Sequence, residues 1–367
     1  MRILIVPDKF KGSLTAAQAA KSIAIGLRAV KPKAKITQLP LSDGGEGFVE
    51  TIVQARHGRM ASMKTIDPLG KPCRAHYGIL PDGTAVVGLT EASGLWRVPP
   101  KQRNPGTVTV VGTGQILAKL VENGCARIIL GIGGSATTDG GIGLAAPLGF
   151  RFLDKKGNAI PLHGEGLGKL AQIIAPKNKI KTEFIVATDV DNPLYGPNGA
   201  AFQFGPQKGA TPAQVRRLDA HLKQLATVAK ESLGHSGHAE AGAGAAGGCG
   251  YGLITFLKAK RVTGFDLFRQ WTALDALIEK HDLVITGEGC LDKTSTQGKG
   301  PWAVAHLAKK HGKPVWAVCG ACRLPKGKTP FAAIGEILPH APNLVTAQKR
   351  GAFYLRHIAQ DLARSMM

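Results

Sequence analysis

The pattern of apolar and polar residues predicts a chain in which strands alternate with helices. Residues 2–6 form a short apolar run that ends in a polar turn, and apolar residues then recur every three or four positions from 15 to 30. Further strands are predicted at 35–39, 128–130, 184–187, 282–286 and 314–318. Because a run without a polar face is typical of a strand buried on both sides, we predict parallel strands joined by helices.

The middle of the chain follows a different pattern. Short alternating segments from about 59 to 89, with turns at 68–70 and 81–83, predict antiparallel hairpins. The strand–helix pattern of the first 58 residues returns after about 262. We therefore predict an α/β protein of two domains, with the active site in the cleft between them. Residues 1–66 and 262–367 form a doubly wound, Rossmann/flavodoxin-like parallel-sheet domain, and residues 67–261 form an inserted mixed α/β domain.

Composition and charge narrow the class of protein. The chain has 367 residues, which favours two domains over one, and its formal net charge is +22. The basic residues are scattered and aromatic residues are not interleaved with them, which argues against a nucleic-acid surface, although the field would attract anionic substrates. The pair Cys319 and Cys322 has no second pair beside it, so we interpret it as the end of a strand rather than a metal site.

Nothing in the sequence predicts contact with a membrane. No apolar run approaches the roughly 20 residues that span a bilayer. The first ten residues contain Asp8 and Lys9 and do not have the pattern of a signal peptide. We expect a cytoplasmic protein, either a monomer or a homodimer, without nucleic-acid or membrane partners.

The most distinctive stretch lies at residues 127–141. A buried strand ends in three glycines, and hydroxyl groups follow at a predicted helix start, where free N–H groups and the helix dipole favour an anion. Asp139 adds a carboxylate beside this turn. We predict that the stretch binds a phosphate through the residues Gly131, Gly133, Gly134, Ser135, Ala136 and Thr137.

The same turn permits an alternative function. Gly131-x-Gly133-x-x-Ala136 follows a strand, and Asp154 stands 23 residues after Gly131, roughly where a ribose-binding acid is found in NAD-dependent oxidoreductases. Against this, the intervening segment contains several glycines and Pro147 and predicts a poor helix. A dehydrogenase would also leave the carboxylates elsewhere without a role.

Carboxylates follow several of the predicted strands at their carboxyl ends. In open α/β sheets this edge is where ligands bind. With Lys11 and Lys299 nearby in the sequence, such a set matches Mg²⁺-dependent phosphoryl transfer, in which metal and cations neutralise the phosphates and one carboxylate accepts a proton. No P-loop motif occurs. The carboxylates are Asp8, Asp43, Asp139, Asp189, Asp191, Glu288 and Asp292.

These segments together resemble the type 1 glycerate kinase family. The resemblance is carried, in order along nearly the whole chain, by residues 7–14, 42–47, 131–141, 189–194, 244–248, 282–289, Asp292 and 298–299. It implies ATP-dependent phosphorylation of D-glycerate with Mg²⁺ on a two-domain α/β fold with one domain inserted, and the usual product is 2-phosphoglycerate. It also implies a ligand-binding role for the glycine-rich segment that ends at Gly248.

We assign roles to the matching positions as predictions. Asp189 is the favoured proton acceptor because it directly follows a buried strand, and Lys11 and Asp8 complete the catalytic group. Asp191 and Asp43 are predicted to bind the metal. The predicted glycerate-binding residues are Ser13, Asp43, Glu288 and Asp292. ATP is predicted to contact the stretch from Gly131 to Thr137 together with Gly247, Gly248 and Lys299.

Two positions depart from the family pattern. The family usually has Gln two residues after the acid that matches Asp292, whereas Thr294 stands here. A hydroxyl therefore replaces the amide that the family pattern has at this position. The position of Thr138 is often Asn. The residues alone do not determine whether the 2- or the 3-hydroxyl receives the phosphate.

Overall fold

The computed structural model describes residues 1–42, 44–45, 47–293, 295–297, 300–324 and 329–365. Contacts divide the chain into two compact units, Met1–Ser42 with Phe265–Met367, and Asp43–Gly264. The α/β class predicted from the sequence is confirmed. In the described part of the chain the strands are β1 (Arg2–Pro7), β2 (Lys35–Gln38), β3 (Arg59–Ile66), β4 (Pro72–Ile79), β5 (Ala85–Gly88), β6 (Arg127–Gly131), β7 (Arg151–Leu153), β8 (Gln172–Ile174), β9 (Glu183–Ala187), β10 (Lys260–Val262), β11 (Leu283–Leu291), β12 (Val315–Cys322) and β13 (Ala333–Glu336).

Helices are present in both units. Those described are α1 (Ala16–Val30), α2 (Phe48–Ala55), α3 (Thr90–Ser93), α4 (Val111–Glu122), α5 (Ile142–Ala145), α6 (Ala200–Phe204), α7 (Pro212–Leu233), α8 (Ala245–Leu257), α9 (Gly264–Trp271), α10 (Leu274–Lys280), α11 (Gly300–Lys310), α12 (Leu344–Lys349) and α13 (Gly351–Arg364). No helix among these is both long enough and apolar enough to cross a membrane.

The unit built from the two chain ends contains a five-stranded parallel sheet in the order β13-β12-β11-β1-β2. Side chains of β1 alternate between its faces: Ile3 and Ile5 pack with α1 and α13, and Leu4 and Val6 pack with α9 to α11. All four are fully buried, and each such burial contributes about 1.5–3 kcal/mol. Helices therefore cover both faces, as predicted for a doubly wound sheet.

The connections of β1 create a place for a ligand. From β1 the chain passes through α1 to β2 on one side, whereas β11 pairs with the other side of β1. The carboxyl ends of β1 and β11 therefore lie beside each other at a switch point, where the connections leave in opposite directions. Open parallel sheets bind ligands at such crevices.

The second unit contains a six-stranded mixed sheet in the order β10-β9-β6-β5-β4-β3. Strands β5, β6, β9 and β10 are parallel, and β3, β4 and β5 pair as antiparallel neighbours, which is the hairpin pattern that the alternating segment predicts. Strands β7 and β8 form a separate two-stranded sheet. One continuous apolar core joins the sheet to α4, α7 and α8.

The boundary between the units differs from the expected one at its first position. We expected it after residue 66, but residues 43–66 lie within the six-stranded unit, because β3 pairs with β4 and α2 packs on β3 to β5. The expected second boundary at 262 is close to Gly264, the last residue of that unit.

Candidate active site

Three predicted carboxylates lie around the switch point of the parallel sheet. Asp8 directly follows β1, and its N–H donates to the carbonyl oxygen of Gly287 in β11 at 2.8 Å. Glu288 lies inside β11, which continues to Leu291 rather than ending near residue 286 as the apolar run indicates. Asp292 follows directly. The register of the sheet pairs Pro7 with Gly287, and therefore places Asp8, at the end of β1, beside Glu288 within β11.

Glu288 has a perturbed pKa. The pKa is raised to about 7, mainly by burial and in part by the carboxylates of Asp8 and Asp292, against the opposing effects of a hydrogen bond with Ser295 and the charge of Lys11. Its Oε1 atom is buried and has no hydrogen-bond partner within the described residues. A partly buried carboxyl with an unsatisfied oxygen and a pKa near neutrality is typical of a functional site.

The predicted basic and hydroxyl residues lie on the loop after β1. Lys11 is exposed, and its backbone packs closely on Gly289, where a Cβ would lie 3.2 Å from the Lys11 nitrogen. Ser13 donates its hydroxyl proton to the carbonyl oxygen of Gln348 at 2.6 Å, so only its lone pairs are open to a substrate. The cap of α1 is Thr15, whose hydroxyl accepts the N–H of Gln18.

Some predicted residues cannot be placed. Asp43, assigned to substrate and metal, and Lys299, assigned to ATP, lie outside the described residues. The same is true of Thr294, the position that departs from the family pattern.

The glycine stretch of the second unit follows β6 as predicted. Gly133 and Gly134 are exposed, and residues 135–141 are buried. The N–H of Gly133 donates to Gly44 and that of Ala136 donates to Ser93, each at 3.0 Å, so neither is open to a phosphate. The N–H of Gly134 has no acceptor in the part of the chain that the structure describes.

The prediction of a helix start at Ser135 is wrong. The next helix, α5, begins at Ile142 and has only four residues. The reason is that successive N–H groups bond to distant segments instead of to the preceding turn: Ala136 donates to Ser93, Thr138 to Pro105 and Gly140 to Gly247. A helix dipole therefore does not contribute to anion binding here.

A buried lysine that the sequence analysis missed organises this stretch. Lys208 ends a 3₁₀ turn, Pro206–Lys208, and only 3% of it is exposed. Its ammonium donates to Ser135 Oγ at 2.8 Å and to the carbonyl oxygen of Thr137 at 2.6 Å. No local signal could have identified it, because its partners are far away in the sequence.

Asp139 supplies an opposite charge to Lys208. It is fully buried, and its Oδ1 accepts hydrogen bonds from the Thr137 hydroxyl at 3.1 Å and the Gly141 N–H at 3.2 Å. Burial raises the pKa of Asp139 to about 6 and lowers the pKa of Lys208 to about 8. Each charge partly offsets the effect of burial on the other, so Asp139 is an internal counter-charge rather than an exposed ligand group.

The structure brings Gly247 and Gly248 to the same stretch. The N–H of Gly140 donates to the carbonyl oxygen of Gly247 at 3.1 Å. A Cβ on Gly247 would lie 1.9 Å from the carbonyl oxygen of Thr137, so only glycine permits this approach. The two glycine-rich segments thus form one packed cluster.

Asp189 and Asp191 follow β9 with different surroundings. Asp189 is partly buried, and its Oδ1 accepts the N–H of Gly264 at 2.9 Å. Asp191 has 78% of its side chain exposed and forms an ion pair with Arg261. Arg261, which the sequence analysis also missed, additionally contacts the carbonyl oxygens of Thr188 and Val190 and so fixes this loop.

The geometry does not support a dinucleotide fold at Gly131. The required helix is absent from the stretch 132–141, all of which is described. Asp154, the candidate ribose-binding acid, closes a local turn by accepting the N–H groups of Lys156 and Asn158 at 2.8 and 2.9 Å. Its strand β7 pairs with β8 and not with β6.

Potential metal ligands are few. Within the described ranges, no group of three or more His, Cys, Asp or Glu side chains is arranged to hold a metal ion. Mg²⁺ commonly uses one or two carboxylates and completes its shell with phosphate and water oxygens. The observed acids are compatible with that mode of binding.

Comparison with known proteins gives the same family over the whole chain. Residues 3–367 match the glycerate kinase family. A glycerate kinase of Bacillus subtilis (strain 168) is 41% identical, with 100% of this chain and 98% of that protein covered. The glycerate 2-kinase of Escherichia coli (strain K12) is 42% identical, with 88% and 85% covered.

A solved structure agrees with these matches. The crystal structure of a protein provisionally assigned as glycerate kinase 2 from Salmonella typhimurium LT2 is 38% identical to this chain. It superposes with a TM-score of 0.82, and the match covers 100% of this chain and 98% of that one. The chain is therefore a kinase and belongs to the glycerate kinase family.

Proposed function

We propose that the protein transfers the γ-phosphoryl group of ATP to D-glycerate in the presence of Mg²⁺ and releases 2-phosphoglycerate. Membership of the family supports this reaction, and the similar Escherichia coli protein is a glycerate 2-kinase. The structural observation that carries the proposal is Glu288, a partly buried acid with a buried, unsatisfied oxygen, grouped with Asp8 and Asp292 near the switch point of the parallel sheet.

The glycerate site is assigned to this group in the parallel-sheet unit. The unsatisfied oxygen of Glu288 would accept a hydrogen bond from a substrate hydroxyl, with Asp292 and Ser13 as further contacts. Asp43 is assigned to the substrate only from its place in the sequence pattern. The exposed ammonium of Lys11 would offset the charge of the substrate carboxylate. Small hydroxy acids need such paired recognition, because a buried polar group left unpaired costs about 1–3 kcal/mol.

The ATP site is assigned to the glycine stretch of the second unit. The N–H of Gly134 is exposed and has no acceptor within the described residues, so it is suited to a phosphate oxygen. The rest of the stretch consists of Gly131, Gly133, Ser135, Ala136 and Thr137. Gly247 and Gly248 pack against it. Lys299 is assigned to the phosphates from its place in the sequence pattern.

Asp191 and Asp43 are assigned to Mg²⁺. A carboxylate is the hard oxygen ligand that Mg²⁺ prefers, and the largely exposed Asp191 has one oxygen beyond the one that Arg261 contacts. When bound, the ion would neutralise phosphate charge during transfer.

Asp189 is assigned as the proton acceptor. Its position two residues after β9 and its hydrogen bond from Gly264 hold the carboxylate in one orientation. A general base must keep its geometry to accept the proton of the attacking hydroxyl. Asp8 is the second candidate for this role, since it is also fixed at a strand end.

A coupled assay of ADP release with D-glycerate, ATP and Mg²⁺ tests the proposed reaction, and phosphorus NMR of the product identifies the phosphorylated hydroxyl. We expect turnover and 2-phosphoglycerate. Absence of turnover together with micromolar NAD(H) binding would reject the kinase reaction in favour of an oxidoreductase. We also expect a cytoplasmic monomer or homodimer that does not bind nucleic acid, which fractionation, size-exclusion chromatography and salt-dependent DNA binding would check.

A further inference from the structure

Lys208 has an unusual environment for a lysine. Its side chain is almost completely buried, and its ammonium contacts two acceptors, Ser135 Oγ and the Thr137 carbonyl oxygen, which lie one residue apart on the same segment. Burying an ammonium group is costly unless it is paired and hydrogen-bonded. Both acceptors that offset this cost belong to the segment that directly follows the exposed Gly133–Gly134 turn.

The contacts of Lys208 determine the path of this segment. The segment has no helix and no regular strand pairing beyond a single bridge between Ser135 and Gly94. The hydrogen bond from Lys208 to Ser135 Oγ restricts the Ser135 side chain. The hydrogen bond from Lys208 to Thr137 restricts the direction of the Thr137 carbonyl group. The direction of the Gly134 N–H depends on the same backbone, because Gly134 immediately precedes Ser135.

We propose that Lys208 is a positioning residue for ATP, which fixes the Ser135–Thr137 segment and holds its ammonium group against the segment that follows the phosphate-binding turn. The inference rests on the proposed function, because it assumes that the turn at Gly134 binds the phosphates of ATP. The ammonium is held by the protein and stays in place before ATP arrives. Electrostatic groups that are already ordered stabilise bound charge without the cost of reorganising.

The main alternative is that Lys208 and Asp139 only stabilise the fold. The two are linked through Thr137, whose carbonyl oxygen accepts from Lys208 and whose hydroxyl donates to Asp139. Removing one member of a buried charged pair is strongly destabilising, whereas replacing both by neutral groups is often neutral. A single substitution at Lys208 could therefore abolish activity through unfolding alone.

The experiment compares Lys208→Met, Asp139→Asn and the double variant Lys208→Met/Asp139→Asn with the wild-type protein. Thermal unfolding, the Kd for ATP and the KM for D-glycerate are measured for each. We expect the double variant to recover the melting temperature that Lys208→Met loses, while its Kd for ATP stays about 10- to 100-fold above that of wild type, the scale expected for a displaced binding group. The KM for D-glycerate should stay within about threefold, the size of effect that we treat as no change.

Ser135→Ala provides a variant that keeps the buried charges. It removes one acceptor of Lys208 and should weaken ATP binding several-fold without a comparable loss of melting temperature. Wild-type affinity for ATP in both the double variant and Ser135→Ala would overturn the positioning role. If the wild-type protein itself neither binds ATP nor turns over D-glycerate, the proposed function fails, and this result is distinct from failure of the inference.

Discussion

The ammonium group of Lys208 lies 2.6 Å from the carbonyl oxygen of Thr137, although 71 positions separate the two residues. This contact ties a 3₁₀ turn before α7 to the segment that follows β6. Two hydroxyl groups of the glycine stretch also form hydrogen bonds with buried side chains: that of Ser135 accepts from Lys208, and that of Thr137 donates to Asp139. In the proposed ATP site, the exposed turn at Gly134 is therefore the part assigned to contact a phosphate.

The first prediction concerns Gly134, which has a φ of +78° and whose Cβ, if present, would lie 2.9 Å from Thr90 Cγ2. We expect Gly134→Ala to abolish detectable ATP binding, because a methyl group would block approach of the phosphate to the N–H. A side chain at this φ also costs about 1–2 kcal/mol of stability. Isothermal titration with ATP and a thermal melt measure the two effects separately.

Gly70→Ala is the matched control for this variant. Gly70 has a φ of +77° and open space around its Cβ position, so it carries the same backbone cost without a predicted ligand. It should bind ATP normally. Normal binding by Gly134→Ala would place the phosphate site elsewhere, with the Gly247–Gly248 segment as the next candidate.

The second prediction concerns Asp189 as the proton acceptor. Asp189→Asn keeps the oxygen that accepts the Gly264 N–H but removes the basic carboxylate. We expect kcat to fall by about 10²–10⁴-fold, with a smaller change in KM. Steady-state kinetics with D-glycerate at saturating ATP measures both constants.

Asp154→Asn is the control, since Asp154 accepts two N–H groups in a local turn and has no assigned role in the kinase reaction. Its kcat should equal that of wild type. If Asp189→Asn keeps kcat within about tenfold, which is less than the usual effect of a general base, the role passes to Asp8.

The third prediction concerns the metal. Chelation with EDTA should abolish turnover, and added Mg²⁺ should restore it, because the triphosphate needs a divalent cation during transfer. Asp191→Asn should raise the Mg²⁺ concentration required for half-maximal rate, with little change in the rate at saturation. Titration of the rate with Mg²⁺ gives this value for each variant.

Glu183→Gln is a suitable comparison in the same unit. Glu183 is also an ion-paired acid, with Arg127 and Lys260 as partners, but no role in metal binding is assigned to it. Its Mg²⁺ requirement should match that of wild type. An unchanged requirement in Asp191→Asn would remove Asp191 from the metal site.

The fourth prediction uses the pKa of Glu288, which burial raises from 4.5 to about 7. The folded state therefore binds this proton more tightly than the unfolded state, and stability falls as the pH rises from about 4.5 to 7. Glu288→Gln removes the cost of a buried charge. Its melting temperature at pH 8 should exceed that of wild type, by about 2–4 °C for each kcal/mol gained, and the difference should shrink at pH 5.

The same variant should bind D-glycerate poorly, so stability and activity change in opposite directions. Asp361→Asn, a surface substitution in the same unit, should show neither effect, because Asp361 is largely exposed and forms a surface ion pair with Arg364. A melting temperature of Glu288→Gln equal to or below that of wild type at pH 8 would contradict the prediction.

The sequence by itself determined the class of fold and many of its strands. Apolar runs without a polar face identified β1, β6, β9, β11 and β12, because a strand buried on both sides needs apolar residues at every position. The alternating segment identified β3 to β5 as hairpins, because a strand with one face buried alternates apolar and polar residues. Positions at strand ends then indicated Asp8, Asp189 and the glycine turn, since parallel strands present their carboxyl ends at one edge.

Only the tertiary structure decided which groups are available for chemistry. In the fold, the N–H of Gly133 donates to Gly44, and Asp191 forms an ion pair with Arg261. Hydrogen bonds to distant segments take the place of the helix expected at Ser135. It also placed residues 43–66 with the six-stranded unit and buried Lys208 beneath the glycine stretch. The periodicity of a sequence reports which face of an element is buried. The partner of a single lysine or N–H group depends on segments that the fold brings together, and no local pattern records that pairing.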